Sequence, residues 1–263
     1  MNVDKHRALE FGSLFSGVGG LDLGLEQAGL KCKFQVENDK HCLTILNRHW
    51  PDVPKNEIRP CMGLVGGDPC PIRSLASKMH GTIKPDLAGY FLAMVQRCKP
   101  KWVLRENVPA VDVHEFKSAL QFIGYRTIVI DINSAAFTGQ SRRREFVAGF
   151  NKQETLDLFM RECTDSKSNS RNGTSNGYEE AALPCINTRQ GRLDARDALV
   201  YEGKNKGLRL LSHNERESLQ GFPAGWTDGI PNSARERGVG NAVTVSVAKW
   251  IGERIIEALI INH

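Results

Sequence analysis

Several features that would mark a specialised class are missing from this 263-residue chain. No apolar run approaches the roughly 20 residues that a bilayer-spanning helix needs, and the first residues, MNVDKHRALEFGS, lack the apolar core of a secretory signal. The seven cysteines are an odd number with no C-x-x-C pair, which argues against both a disulfide framework and a zinc site. His41, His49, His80, His114 and His213 show no metal-ligand spacing, so no metal is expected. No internal repeat is visible. Reduced thiols and no membrane segment give the expectation of a cytoplasmic protein. The formal charge of +5 permits a polyanionic partner without demanding one, because scattered solvated charges give the same sum.

What is present is the alternation of strand and helix patterns that marks an α/β chain. Leu14-Phe15 leads into Ser16-Gly17-Val18-Gly19-Gly20, then a helical pattern from Leu21 that stops at Gly29. This is not the G-x-G-x-x-G fingerprint, because Asp22 stands where the third glycine belongs. It still lets a ligand approach the backbone and sets amide donors at a helix N-terminus. The next strand ends at Glu37, about 20 residues after the glycine turn, where an acid suits a pair of ribose hydroxyls. Helices are expected over 41–49, 86–97, 115–123 and 152–163, with a last amphipathic helix opening at 238–245 and running to 261. Strands are expected over 62–65, 102–104, 127–132 and 145–150, with Trp102 in the core. The β-branched content of 127–132 suggests a central strand. Ser212 with Glu215 three residues on is a capping box.

Gly66-Gly67-Asp68-Pro69-Cys70-Pro71 follows a strand end, and its glycines and prolines force a turn. Cys70 would then sit beyond the carboxyl end of the sheet, where open α/β sheets bind ligands. Either it is a nucleophile or it is one of seven cysteines in an ordinary loop. Residues 71–84 carry basic and imidazole side chains and no acid, a basic lid or a plain surface loop. Glu106 is a second polar group at a strand end. Arg142-Arg143-Arg144 would ordinarily be a solvated face, but in an extended segment Arg142 and Arg144 point the same way. Residues 165–177 are rich in Ser, Asn and Gly and read as a linker or exposed loop.

Taken in order, these segments resemble the cytosine carbon-5 DNA methyltransferases over most of the chain. Phe15-Ser16-Gly17-Val18-Gly19-Gly20 is similar to the family's first motif, Pro69-Cys70 to its Pro-Cys, and Glu106-Asn107-Val108 to its Glu-Asn-Val. Gln140-Ser141-Arg142-Arg143-Arg144 resembles its Gln-x-Arg-x-Arg. The 209–223 stretch is similar to its Leu-Gln-Gly-Phe-Pro motif, and Gly240-Asn241-Ala242-Val243 to its last motif.

The resemblance implies a Rossmann-like S-adenosylmethionine methyltransferase fold with a mixed, mostly parallel sheet. It implies a catalytic domain over 1–150, a short target-recognition region over 151–207, and a C-terminal segment over 208–263 whose last helix packs back on the catalytic domain. It implies S-adenosylmethionine as cofactor and S-adenosylhomocysteine as product. Phe15, Ser16, Gly17, Gly19, Gly20 and Leu21 would hold the cofactor, with Glu37 and Asn38 at its ribose and Glu57, Ile58 and Leu87 about its adenine. Pro69, Asn241 and Val243 would complete that set.

Cys70 would add to carbon 6 of a flipped cytosine, Glu106 would meet ring N3, and Arg142 would hold O2 with Arg144 in support. Arg73, Ser74, Lys78 and Gln140 would touch double-stranded DNA. A prokaryotic or phage source is implied, as restriction partner or orphan.

Two departures stand out. Pro71 replaces the family's usual Gln after the cysteine, removing a donor and a polar side chain. The interval 151–207 is short, so either recognition is reduced and relaxed or a partner protein completes it. RNA as substrate, and a fold kept without turnover, stay open as alternatives.

Overall fold

The computed structural model describes residues 9–69, 87–109, 113–169, 199–204 and 206–261, with side chains omitted for 165–169. Six strands form one sheet: β1 (Glu10–Leu14), β2 (Lys31–Val36), β3 (Gly63–Gly66), β4 (Trp102–Asn107), β5 (Arg126–Asn133) and β6 (Arg143–Phe150). Their order is β2-β1-β3-β4-β6-β5. β1 pairs parallel with β2 and β3, and β3 parallel with β4, while β6 runs antiparallel to both β4 and β5. The chain thus steps from β1 to one side and then to the other, which opens a crevice at the carboxyl end of β1.

Nine helices are described: α1 (Gly20–Ala28), α2 (Lys40–His49), α3 (Leu87–Cys98), α4 (Val113–Phe122), α5 (Ala135–Thr138), α6 (Gln153–Asn169), α7 (His213–Leu219), α8 (Asn232–Asn241) and α9 (Val245–Ile261). A separate hairpin pairs β7 (Leu199–Tyr201) with β8 (Leu208–Leu210).

Alternation along the strands feeds two cores, one per face. Phe11, Val65, Trp102 and Phe146 pack with Leu25, Phe159, Ile251 and Ile255 of α1, α6 and α9. Leu14, Leu64, Val103 and Val147 pack with Phe91, Val95, Phe116 and Leu120 of α3 and α4. Trp102 is fully buried, as its strand pattern predicts. The first helix of the 151–207 interval, α6, delivers Leu156 and Phe159 to the same core. Ser212 and Glu215 form the expected capping box at the start of α7.

Two expectations are corrected. β5 is the edge strand and not a central one, and Ile128, Val129 and Ile130 are only partly covered. β-branched residues suit any half-buried pleated surface, so composition does not rank a strand's place in the sheet. The glycine motif at 238–243 does not open the last helix. It ends α8, Ala242 turns extended (φ −64°, ψ 149°), and α9 begins afresh at Val245.

The break lets α9 lie close against α1. A Cβ on Gly24 would fall 2.4 Å from the Val245 carbonyl oxygen, a backbone atom that cannot step aside. Gly24→Ala is therefore expected to destabilise the protein by about 1–3 kcal/mol, the usual scale for overpacking. Gly149→Ala, whose nearest neighbour would be 3.5 Å away, serves as control and should stay within about 1 kcal/mol. Urea unfolding of both variants makes the comparison.

Candidate active site

The turn after β1 is built by backbone conformations that few residues accept. Gly17 (φ 58°) and Gly19 (φ 84°) are left-handed, and so is Phe15 (φ 54°), a strained state for an aromatic residue and of the kind that gathers at functional sites. Gly19 caps α1, so the free amides of that helix open onto the crevice. Gly20 permits another close approach, because a Cβ there would meet the Val243 carbonyl oxygen at 2.5 Å. The first and last motifs therefore share one wall.

Glu37 closes the turn from the end of β2. Its Oε2 accepts from the Gly17 amide at 2.8 Å, and its Oε1 accepts from the amides of Asn38 (2.7 Å) and Asp39 (2.8 Å). Beneath the turn, Asp22 is fully buried. It accepts from Ser13 Oγ at 3.0 Å and from Gln35 Nε2 at 2.8 Å. Burial pushes its carboxyl up to about 6, against the pull of those two hydrogen bonds.

A second wall comes from β3, β4 and β6. Because β6 is reversed, its first residues lie beside the last residues of β4, at the same end of the sheet as the last residue of β3. Glu106 is 8% exposed, and its Oε1 pairs with Arg144 Nε at 3.0 Å. Burial raises its carboxyl above the ordinary range, opposed by the Arg144 guanidinium and then by Arg142. A Cβ on Gly67 would stand 2.8 Å from Glu106 Oε2, so glycine is what lets the turn after β3 touch this carboxyl.

The arginine motif divides its partners between two parts of the site. Arg142 is 3% exposed, and its Nη2 donates to the carbonyls of Gly240 and Ala242, each at 3.0 Å. That binding ties the last motif to the segment that leads into β6, while Arg142 also borders the cleft. Arg144 is the guanidinium paired with Glu106. The expectation for Gln140 is corrected. It is fully buried, with Nε2 3.4 Å from both the Leu219 carbonyl and Gln220 Oε1. No nucleic acid reaches a side chain so enclosed.

These groups surround one cleft of about 720 Å³, within the usual range for small-molecule sites. Phe15, Ser16, Gly17, Gly20 and Leu21 line it from the first motif, with Glu37 and Asn38 from the second strand. Pro69, Leu87, Asn241 and Val243 complete the expected set, and Glu106, Arg142 and Arg144 border the same space. Gly19 shapes the turn without lining the cleft. Glu57 and Ile58 are not brought there either. Glu57 is 62% exposed and paired with Arg59, and Ile58 packs against the α3–α4 core. Cys70, Arg73, Ser74 and Lys78 lie outside the described residues.

Sequence reasoning missed Asp22, Asp68, Arg105 and Asn107. Asp68 beside Pro69 and Arg105 beside Glu106 are charged residues flanking two motifs, yet only the fold shows that they pair. Arg237 of α8, 3.6 Å from Asp39 across the rim, was also unmarked.

The family model described as C-5 cytosine-specific DNA methylase matches residues 9–184 and 160–257 of this chain. A curated relative, type II methyltransferase M2.BsuMI of Bacillus subtilis, is 27% identical over 288 residues, covering 92% of this chain and 74% of the relative. Type II methyltransferase M.DsaV of Dactylococcopsis salina is 24% identical over 307 residues, covering 96% and 87%. The solved methyltransferase EhMeth of Entamoeba histolytica has the same fold, with a TM-score of 0.71 at 17% identity, over 95% of this chain and 98% of that one.

The raised carboxyl of Asp22 carries a prediction. Its folded value, about 6, lies above its ordinary 3.8. Between these values the folded protein keeps a proton that the unfolded chain has released, so stability falls as pH rises through that window. Asp22→Asn has no such proton to lose. Urea midpoints at about pH 4 and about pH 7 should show the wild type losing stability relative to Asp22→Asn. A constant difference would contradict the assignment.

Proposed function

The chain belongs to the C-5 cytosine-specific DNA methylases, and from that premise we propose that it methylates cytosine in duplex DNA through a covalent adduct on Cys70, with S-adenosylmethionine as methyl donor. The observation that carries this reading is Glu106. It is a buried carboxyl, raised above its ordinary range, paired with Arg144 at the rim of a cleft that Pro69 also lines.

The cleft suits the cofactor by its donor set. Glu37 offers a carboxylate to a vicinal diol, the amides opening α1 suit a carboxylate, and Phe15 and Leu87 offer apolar surface to a purine. When bound, S-adenosylmethionine supplies an electrophilic methyl group at its sulfonium centre. Oε1 of Glu37 takes two amides and Oε2 one, so Oε2 keeps a lone pair that can accept a ribose hydroxyl.

Carbon 5 of cytosine is a weak nucleophile, and covalent catalysis answers this. The Cys70 thiolate adds to carbon 6, and the electron pair of the 5,6 double bond becomes available at carbon 5. Glu106 carries a proton at ring N3, so negative charge does not accumulate on the base. Its raised carboxyl suits that duty, since it holds a proton where an ordinary glutamate has lost one. Arg144, against Glu106, is the guanidinium we assign to the cytosine O2 edge. Arg142 keeps the last motif in place. After methylation, loss of the carbon 5 proton re-forms the double bond and expels the thiolate. A base within a duplex must first be flipped out, at a cost of a few kcal/mol.

Target recognition falls to the short interval 151–207, and we assign it a short or relaxed sequence context.

The deciding assay follows labelled methyl from S-adenosylmethionine to duplex DNA and, separately, to transfer RNA. Transfer to DNA, abolished by Cys70→Ala, is expected. Transfer to RNA alone would replace the substrate, and transfer surviving Cys70→Ala would sink the covalent step. Bisulfite sequencing of the product reads the context, where a long strict site would count against reduced recognition. For the cofactor, Glu37→Ala should weaken S-adenosylmethionine binding by roughly tenfold or more in calorimetry, the scale of a lost charge-assisted hydrogen bond. Unchanged affinity refutes the ribose role.

A further inference from the structure

The Asp68–Arg105 pair takes no part in the chemistry proposed above, yet Arg105 directly precedes Glu106 in β4 and Asp68 follows Gly67, whose Cβ position is 2.8 Å from the Glu106 carboxyl. Gly66 and Arg105 are partners in the β3–β4 register, so Arg105 starts level with the last residue of β3. Its guanidinium reaches forward to Asp68, Nε to Oδ1 at 2.5 Å and Nη2 to Oδ2 at 2.8 Å. The two side chains are 1% and 2% exposed. The Phe116 ring centre lies 4.3 Å from the guanidinium carbon. Asn107 Nδ2 donates to the Asp68 carbonyl at 3.4 Å. The neighbours of Glu106 on both sides therefore grip Asp68, one by its carboxylate and one by its backbone.

Such a pair is a poor device for stability alone, because an apolar pair of equal volume is often as good or better. What it supplies is fixed geometry and a local charge count. Among the described residues, the charged groups acting on Glu106 are Arg144 of β6, Arg142 just before that strand, Asp68 of the turn after β3, and Arg105 of its own strand. Three cations thus meet one anion. Without Asp68, a third unopposed guanidinium would favour the ionised carboxylate.

We propose that Asp68 and Arg105 are positioning residues for Glu106, the pair pinning the turn at 67–69 beside the carboxyl while Asp68 cancels the third positive charge around it. The inference rests on Glu106 as the proton-bearing group at ring N3. It concerns how that proton is kept, through residues that do not touch the base.

The test is an infrared pH titration of the full-length protein, in which the protonated-carboxyl band of Glu106 is identified by its loss in Glu106→Gln. In Asp68→Asn the midpoint should fall by about one pH unit. In Arg105→Gln it should rise, and in the double variant Asp68→Asn/Arg105→Gln it should return near the wild-type value. Above its midpoint, Asp68→Asn should then lose kcat about tenfold, following the protonated fraction. Its S-adenosylmethionine affinity by calorimetry should stay unchanged.

Single-variant midpoints equal to wild type overturn the proposal, as does a double variant displaced as far as Asp68→Asn. If the single variants do not fold, the double variant carries no unpaired buried charge and decides alone. A wild-type midpoint then supports the proposal and a displaced one overturns it. The titration needs no methyl acceptor. The expected shifts in a protein that transfers no methyl to DNA would therefore support the positioning role while the substrate reading falls.

Discussion

The constraint on which the structure depends is the contact between the two ends of the chain. α1 and α9 lie against each other at backbone distance, with Gly20 and Gly24 facing the carbonyls of Val243 and Val245. That contact places Asn241 and Val243 opposite the turn after β1 and so gives the cleft its second side. Arg142 reinforces it from the sheet, through two carbonyls of the same segment. Gln220 adds a third tie, donating to the Val239 carbonyl at 3.0 Å and accepting from Thr244 Oγ1 at 2.9 Å. Residues from both ends of the sequence become neighbours because small side chains let backbones meet and buried polar side chains hold them there.

Buried carboxyls then receive different treatments within one domain. Asp68 meets a guanidinium in bidentate geometry and stays paired. Glu217 collects the amides of Gly225, Trp226 and Thr227 as well as the Thr227 hydroxyl and Arg235, and these hold it below the ordinary range despite burial. Among the described residues, Asp22 and Glu106 are the carboxyls pushed upward, and both border the cleft. The site is thus distinguished by carboxyls whose hydrogen bonds and charges fall short of offsetting burial.

Much of this was legible in the sequence. The strand–turn–helix at 14–29, the acid at the end of β2 and the Glu106 strand end follow from short-range chemistry, where one glycine or one acid has a local meaning. The capping box at Ser212 is of the same kind. The position of β5 was not legible, because strand order depends on which backbones pair and not on what they carry. The role of Arg142 was not legible either. Its partners are carbonyls some hundred residues away in sequence, and a carbonyl has no letter of its own. Asp68 and Arg105 failed to stand out for a related reason: each is unremarkable until β3 and β4 are placed side by side. Glu57 was named by analogy with a motif, and its exposure with Arg59 has an ordinary local cause.

Three identical neighbours, Arg142, Arg143 and Arg144, end with three different partners: backbone carbonyls, exposed Asp131 and buried Glu106. Only register tells them apart, and β6 is held in register from both sides, by β4 and by β5. Slipping one residue in one direction would set Arg143 in the place of Arg144, but would also seat Glu145 in the buried place of Phe146, the residue paired with Glu106. Slipping the other way would bring Glu145 to the place of Arg144, forcing two carboxylates together without water. Whichever way the strand slips, Glu145 comes beside Glu106, and a misregistered sheet meets an electrostatic penalty at the position where the chemistry depends on a single proton.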